Sequence, residues 1–242
     1  MILLELVPYE LQALELEMSW VKQTFSHVIS GFNIPDILRI PIRSLDTASL
    51  IQKGYDITPH IRAMDHDVAR HLELMKDFIN QGGKQVLVVQ GDSHVTSQRQ
   101  QTTSLLLIKA LKVAFPGLKV FAAIDPYRTS FEEEIRYAEQ KMSAGADGFF
   151  TQPFFDLELA TQYLKALSST QLFLGSSPVL TEASKRYWET VNHVKFHKEF
   201  STEFKDNMAL AKSLMALSSQ YQQHLYLMPI KLELKTYLNA LF

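Results

Sequence analysis

The chain has 242 residues, 46% hydrophobic and 21% charged, with 9 Gly, 9 Pro and a formal net charge of -2, which excludes a disordered or collagen-like chain. Near-neutral charge gives no general attraction to nucleic acid or anionic lipid, so neither is expected as a partner. The absence of cysteine removes disulfides, thiolate nucleophiles and Cys-ligated zinc or iron–sulfur clusters.

In chain order, MILLELVPYELQ sets one acid in an apolar stretch and lacks both a basic leader and a small-residue cleavage site. It reads as a buried strand, Ile2 to Val7, rather than a signal peptide. The amphipathic stretch Glu10 to Thr24 predicts a helix, and His27 to Gly31 a strand. Phe32 to Asp46, with Pro35 and Pro41, reads as a long loop over one barrel end, followed by a helix at Thr47 to Lys53 and a strand at Ile57 to Met64. In the helix Asp67 to Gln81, the spacing of Leu72, Met75, Phe78 and Ile79 makes a core-facing stripe, ended by Gly82 and Gly83. Then come a strand at Gln85 to Gln90, a helix at Ser104 to Phe115 and a strand at Lys119 to Ile124. A helix at Phe131 to Ala144 and a strand at Gly148 to Thr151 follow, then a helix at Leu157 to Leu167 and a strand at Gln171 to Gly175. Helices at Thr181 to Thr190 and Thr202 to Tyr221 precede the last strand, Leu225 to Ile230, and the last helix, Lys231 to Leu241.

Most of these strands are apolar without alternation, as strands covered on both faces should be. Eight such units without a linker or repeat predict an α/β protein, a single (β/α)8 TIM-type barrel over residues 1–242, although an open doubly wound sheet shares the alternation. No apolar run approaches the roughly 20 residues of a membrane span. A cytoplasmic protein without a membrane partner is expected.

Barrel chemistry gathers at the carboxyl ends of the strands. Polar residues recur there. Glu5 lies within Leu-Leu-Glu-Leu-Val, where a carboxyl is either paired with a cation or held in its neutral form by desolvation. Ser30-Gly31 ends strand two, His60 lies in strand three, and strand four runs into Gln90-Gly91-Asp92, whose Asp92 serves equally as a helix cap or a ligand group. Strand five reaches Asp125-Pro126, and strand six Thr151-Gln152-Pro153, so that the proline sets the Gln152 amide at the rim. An amide has donors and an acceptor for the edge of a pterin or flavin ring. GxGxxG, Walker, G-x-S-x-G and H-E-x-x-H motifs are absent, and no spacing of His and Asp predicts a metal site. Trp20 and Trp188 read as packing residues on composition grounds.

The stretch KMSAGADGFFTQPFFD, Lys141 to Asp156, resembles the sixth strand of the methylenetetrahydrofolate reductase family. Further fragments fall in that family's order: LELVP around Glu5, the loop GFNIPD, Pro59-His60, Gly91-Asp92 and Ala122-Ala123. The resemblance runs from about Glu5 to the helix containing Trp188 and fades beyond it. It implies a barrel that binds FAD and reduces 5,10-methylenetetrahydrofolate to 5-methyltetrahydrofolate with NADH or NADPH, in one-carbon metabolism and methionine biosynthesis. By position it implies Glu5 as the general acid, Asp92 between flavin and pterin, Gln152 on the pterin edge and Trp188 stacked on substrate. Ser30, His60, Asp92, Ala122, Glu134 and Lys141 fall at or near its FAD contacts. A homo-oligomer is a family expectation.

The chain departs from the pattern in four places. Gln90 stands for the Arg before Gly-Asp, Ile61-Arg62 for Leu-Thr, Ile124-Asp125 for the residues after Ala-Ala, and HLYLMPIKLE for the closing strand. An FAD-free folate-binding protein, serving a partner methyltransferase, and an unrelated barrel enzyme are the alternatives.

Overall fold

The computed structural model describes residues 1–91 and 102–242. Asp92 lies outside the described residues. The strands β1 (Ile2–Glu5), β2 (Ile29–Ile34), β3 (Ile57–Arg62), β4 (Gln85–Val89), β5 (Lys119–Ile124), β6 (Gly148–Pro153), β7 (Gln171–Ser176) and β8 (His224–Leu227) follow one another in a closed barrel. Every strand pair resolved in register is parallel. With α1 (Leu11–Phe25), α2 (Val68–Asn80), α3 (Ser104–Ala114), α4 (Phe131–Ser143), α5 (Leu157–Ala166), α6 (Glu182–Val191), α7 (Phe204–Gln220) and α8 (Leu234–Leu241), this is a (β/α)8 barrel. Among the described residues no helix is long and apolar enough to cross a membrane.

The chain divides into two compact units, one of residues 2–123 and 139–149, the other of residue 1, 124–138 and 150–242. In the first, Leu3, Leu4 and Glu5 pair with Gly31, Phe32 and Asn33, and Phe32, Asn33 and Ile34 pair with Ile57, Thr58 and Pro59. Strand β2 therefore continues three residues past Gly31, into the stretch expected to be loop. The physical reason is that Phe32 and Ile34 are buried and their backbones complete the ladder to β3. A 3₁₀ helix, Ser44–Lys53, replaces the shorter expected helix; Asp46 accepts from the Arg43 backbone N–H at 2.8 Å and Gly54 closes it at φ 84°. Asp67 caps α2 by accepting from Arg70 N, and Met75 and Phe78 from the expected stripe are buried.

In the second unit, β7 and β8 pair from Phe173↔His224 to Ser176↔Leu227. Phe150 and Phe173 stack with centroids 4.1 Å apart, and Tyr226 meets Phe150 edge-on at 5.2 Å. Gly175 is required by close approach, since a Cβ there would stand 2.5 Å from the Thr151 carbonyl oxygen. Strand β8 stops at Leu227, short of the expected Ile230: Pro229 lacks an N–H, and Ile230 N turns back to Met228 O at 2.8 Å.

Candidate functional site

In the first unit the candidate acid, Glu5, is the last residue of β1 and half-buried. Its register partner is Asn33, which is completely buried. Asn33 Nδ2 lies 3.2 Å from His60 Nε2, while Asn33 Oδ1 has no hydrogen-bond partner among the described residues. Burial pushes His60 down to about 3, so the ring is neutral at ordinary pH. With Asn33 Nδ2 as donor, His60 accepts at Nε2 and carries its proton on Nδ1. Ser44 Oγ donates to the His60 carbonyl at 2.5 Å. Ser30, expected at the end of β2, is instead an exposed residue near its start.

The turn after β3 carries an ionic network. Arg43 meets Asp36 through Nε at 2.7 Å and Nη2 at 2.8 Å, and Asp65 through Nη2 at 2.6 Å. Burial works against the Arg43 charge, and the two carboxylates hold its pKa above the ordinary value. Asp65 also accepts from Arg62 Nε at 3.1 Å. The Arg62 guanidinium is buried against the end of β4: a Cβ on Gly91, whose φ is 93°, would stand 3.2 Å from Arg62 Nη2 and 2.9 Å from Met64 Cγ. Bare backbone beside a guanidinium suits the polar edge of a bound cofactor.

Gln90 faces elsewhere. Its Oε1 accepts from Ser104 N at 2.8 Å and its Nε2 donates to Thr102 O at 3.4 Å, which holds the start of α3. Lys141 is buried, and its Nζ donates to the Ala123 carbonyl at 2.6 Å.

In the second unit, Gln152 is exposed near the end of β6. Trp188 is 6% exposed, edge-on to Phe155 at 5.3 Å in a cluster with Val179 and Val194. Little of the indole is open to a ligand. Glu134 is 1% exposed; it accepts from Asp125 N at 3.1 Å and from Arg128 Nη2 at 2.6 Å. The Asp125 carboxyl sits above its ordinary pKa because burial outweighs the Tyr127 N–H, Arg128 and His193, which pull it down, with Glu134 pushing it up. Tyr127 ties β6 to this turn: its hydroxyl donates to Pro153 O at 2.9 Å and accepts from Phe155 N at 3.3 Å.

Among the described residues no group of three His, Asp or Glu is placed to hold a metal ion. A cavity of about 880 Å³ opens at the amino ends of β3, β4 and β5, lined by Asp56, Lys84 and Lys119 among others, and one of about 440 Å³ lies beside Phe155 and Phe200. Neither is lined by Glu5, His60 or Gln152. Sequence reasoning missed Asn33, the Arg43 network and Tyr127. A lone amide in the apolar run ISGFNI was the available signal for Asn33.

A family model described as methylenetetrahydrofolate reductase matches residues 18–207. Solved structures share the fold at low identity. A 2,3-dimethylmalate lyase of the PEP mutase/isocitrate lyase superfamily matches with TM-score 0.60 and 13% identity over 99% of this chain and 76% of its own. An oxaloacetate acetylhydrolase gives 0.61 and 12% over 95% and 75%, and Yersinia pestis DHPS, solved with a pterine-sulfa conjugate, gives 0.53 and 12% over 99% and 89%.

Proposed function

We propose, for a chain that belongs to the methylenetetrahydrofolate reductase family, that it reduces 5,10-methylenetetrahydrofolate to 5-methyltetrahydrofolate with electrons from NADH or NADPH passed through FAD. The observation that carries this reading is a half-buried carboxyl, Glu5, at the carboxyl end of the first barrel strand in a member of that family. Bound FAD would supply the hydride. Glu5 would give its proton to the bridge nitrogen as the carbon–nitrogen bond breaks, which leaves on the substrate an iminium carbon able to accept a hydride. His60, neutral and firmly hydrogen-bonded, adds a polar group without a charge. Arg62 and the bare backbone at Gly91 would hold the polar edge of the cofactor, with Ala122 as a further contact, whereas Ser30, near the amino end of β2, lies away from that edge. Gln152, exposed on its strand, would bind the pterin edge, and Trp188 would back the substrate through Phe155; the family resemblance gives Asp92 a place between flavin and pterin. Glu134 and Lys141 act on the cofactor site through the backbone at the end of β5, which each of them holds.

One observation favours a second reading, an FAD-free folate-binding protein: the Lys141 ammonium is already engaged by the Ala123 carbonyl and the Gln90 amide by α3. The visible spectrum after loading with FAD and gel filtration separates the two. A retained flavin band that NADH or NADPH bleaches, and that methylenetetrahydrofolate restores, supports the reductase; a colourless protein that still binds reduced folate supports the alternative. In the reductase, Glu5→Gln is expected to lower turnover by roughly 10²- to 10⁴-fold with flavin still bound. Full turnover in that variant removes Glu5 from the reaction.

A further inference from the structure

We propose that Asn33 is a positioning residue that keeps Glu5 in its protonated, proton-donating form, by offering it a buried carbonyl oxygen that only a donor can satisfy. The geometry begins with register. Glu5 and Asn33 are Cα partners on adjacent parallel strands, so their side chains leave the sheet on the same side. Asn33 pairs onward with Thr58, and His60, two residues along β3, returns to that side.

The Asn33 amide is not free to turn. Its Nδ2 donates to His60 Nε2, and burial keeps that ring neutral and able to accept. With Nδ2 fixed on His60, the other end of the amide is an acceptor. Oδ1 is completely enclosed and has no partner among the described residues, a state that costs stability unless a donor arrives. A carboxylate opposite a carbonyl oxygen repels it; a carboxylic acid donates to it. The pair therefore favours the acid form of Glu5.

Strand β2, the element packed on β1, reads ISGFNI and carries no ionisable side chain. On β3 the titratable or charged groups are His60, which is neutral, and Arg62, whose Nε is on Asp65. The order runs from a neutral histidine that fixes an amide to an amide that fixes an acid.

The proposal rests on Glu5 being the acid of the reaction above, yet its test reads Glu5 directly. In full-length protein labelled with ¹³C at glutamate side-chain carboxyls, the Glu5 resonance, assigned by its loss in Glu5→Gln, is titrated in the wild type, Asn33→Leu and His60→Phe. Asn33→Leu deletes the acceptor, and His60→Phe releases the amide to turn its NH₂ toward Glu5. Each folded variant is expected to lower the Glu5 midpoint by about one pH unit or more. An unchanged or raised midpoint in either folded variant overturns the proposal, and His60→Phe decides it if Asn33→Leu does not fold. An active Glu5→Gln enzyme would remove the reaction reading without altering the titration result. An unchanged midpoint would remove the role of Asn33 and leave that reading standing.

Discussion

The neutral His60 predicts an acid-labile fold with a slope that can be worked out. In the folded chain burial holds its pKa at about 3, against 6.5 for an unperturbed imidazole. Below 6.5 the unfolded chain binds a proton that the folded chain does not, so stability is complete above that pH and falls as pH drops toward about 3. Each unit in that window costs about 1.4 kcal/mol. At pH 5 the loss is about 2 kcal/mol from this residue alone. Other groups titrate as well. His71 and His224, also lowered by burial, add to the slope, while the raised carboxyls of Asp56 and Asp125 act in the opposite sense. The comparison must therefore be between the wild type and His60→Gln, which keeps an acceptor for Asn33 Nδ2 but cannot titrate. Urea unfolding followed by far-ultraviolet circular dichroism at pH 7 and pH 5 gives both free energies. The wild type should lose about 2 kcal/mol more than the variant between these two values. Equal losses would mean that His60 is protonated in the folded chain at pH 5, and the neutral-acceptor argument would fail.

Glu134→Ala leaves the Asp125 N–H without its carboxylate and Arg128 without its partner; because that arginine reaches solvent, the cost is set by the buried amide at about 1–3 kcal/mol, measured by urea unfolding. A change under about 0.5 kcal/mol would show that the contact is not needed. Asn207, buried in α7, accepts from Val179 N at 2.9 Å and donates to Val179 O at 3.2 Å and to Ser201 O and Glu203 O, both at 3.0 Å. Asn207→Leu is expected to cost about 2–4 kcal/mol in the same assay, with Asn207→Asp no better because its carboxylate faces three carbonyl oxygens.

The barrel was legible because its strands are apolar runs between amphipathic ones, and pairing in a parallel sheet needs little more than that pattern. Their ends were not. The run His27 to Gly31 looked complete because Asn33 is polar and Pro35 follows, yet the ladder to β3 recruits Phe32 and Ile34, and the strand begins later and ends at Ile34. That shift matters for the site: the residue opposite Glu5 is Asn33, past the expected end of the strand. Glu5 itself was visible as an acid in an apolar strand, and Gln152 as an amide before a proline. The Arg43 pairs were hidden because Asp36, Arg43 and Asp65 are brought together by two loops whose paths composition does not encode.

The same limit bears on α4. Glu134 and Lys141, seven positions apart, were assigned to a cofactor because they match positions in a family pattern, and each makes a contact with backbone. Glu134 holds the Asp125 N–H, and Lys141 holds the Ala123 carbonyl, so the helix grips the carboxyl end of β5 at two points. A buried ion that serves main-chain groups fixes where the strand ends and which way the next turn leaves, and in a barrel that position borders the catalytic face. Pattern identity is then consistent with two different physical roles, touching a ligand or shaping the backbone that touches it. They separate by experiment: Lys141→Met should weaken FAD binding and stability together if the residue acts through β5, whereas a direct contact with the cofactor's anionic part would lower affinity steeply with salt and leave the unliganded fold as stable as before.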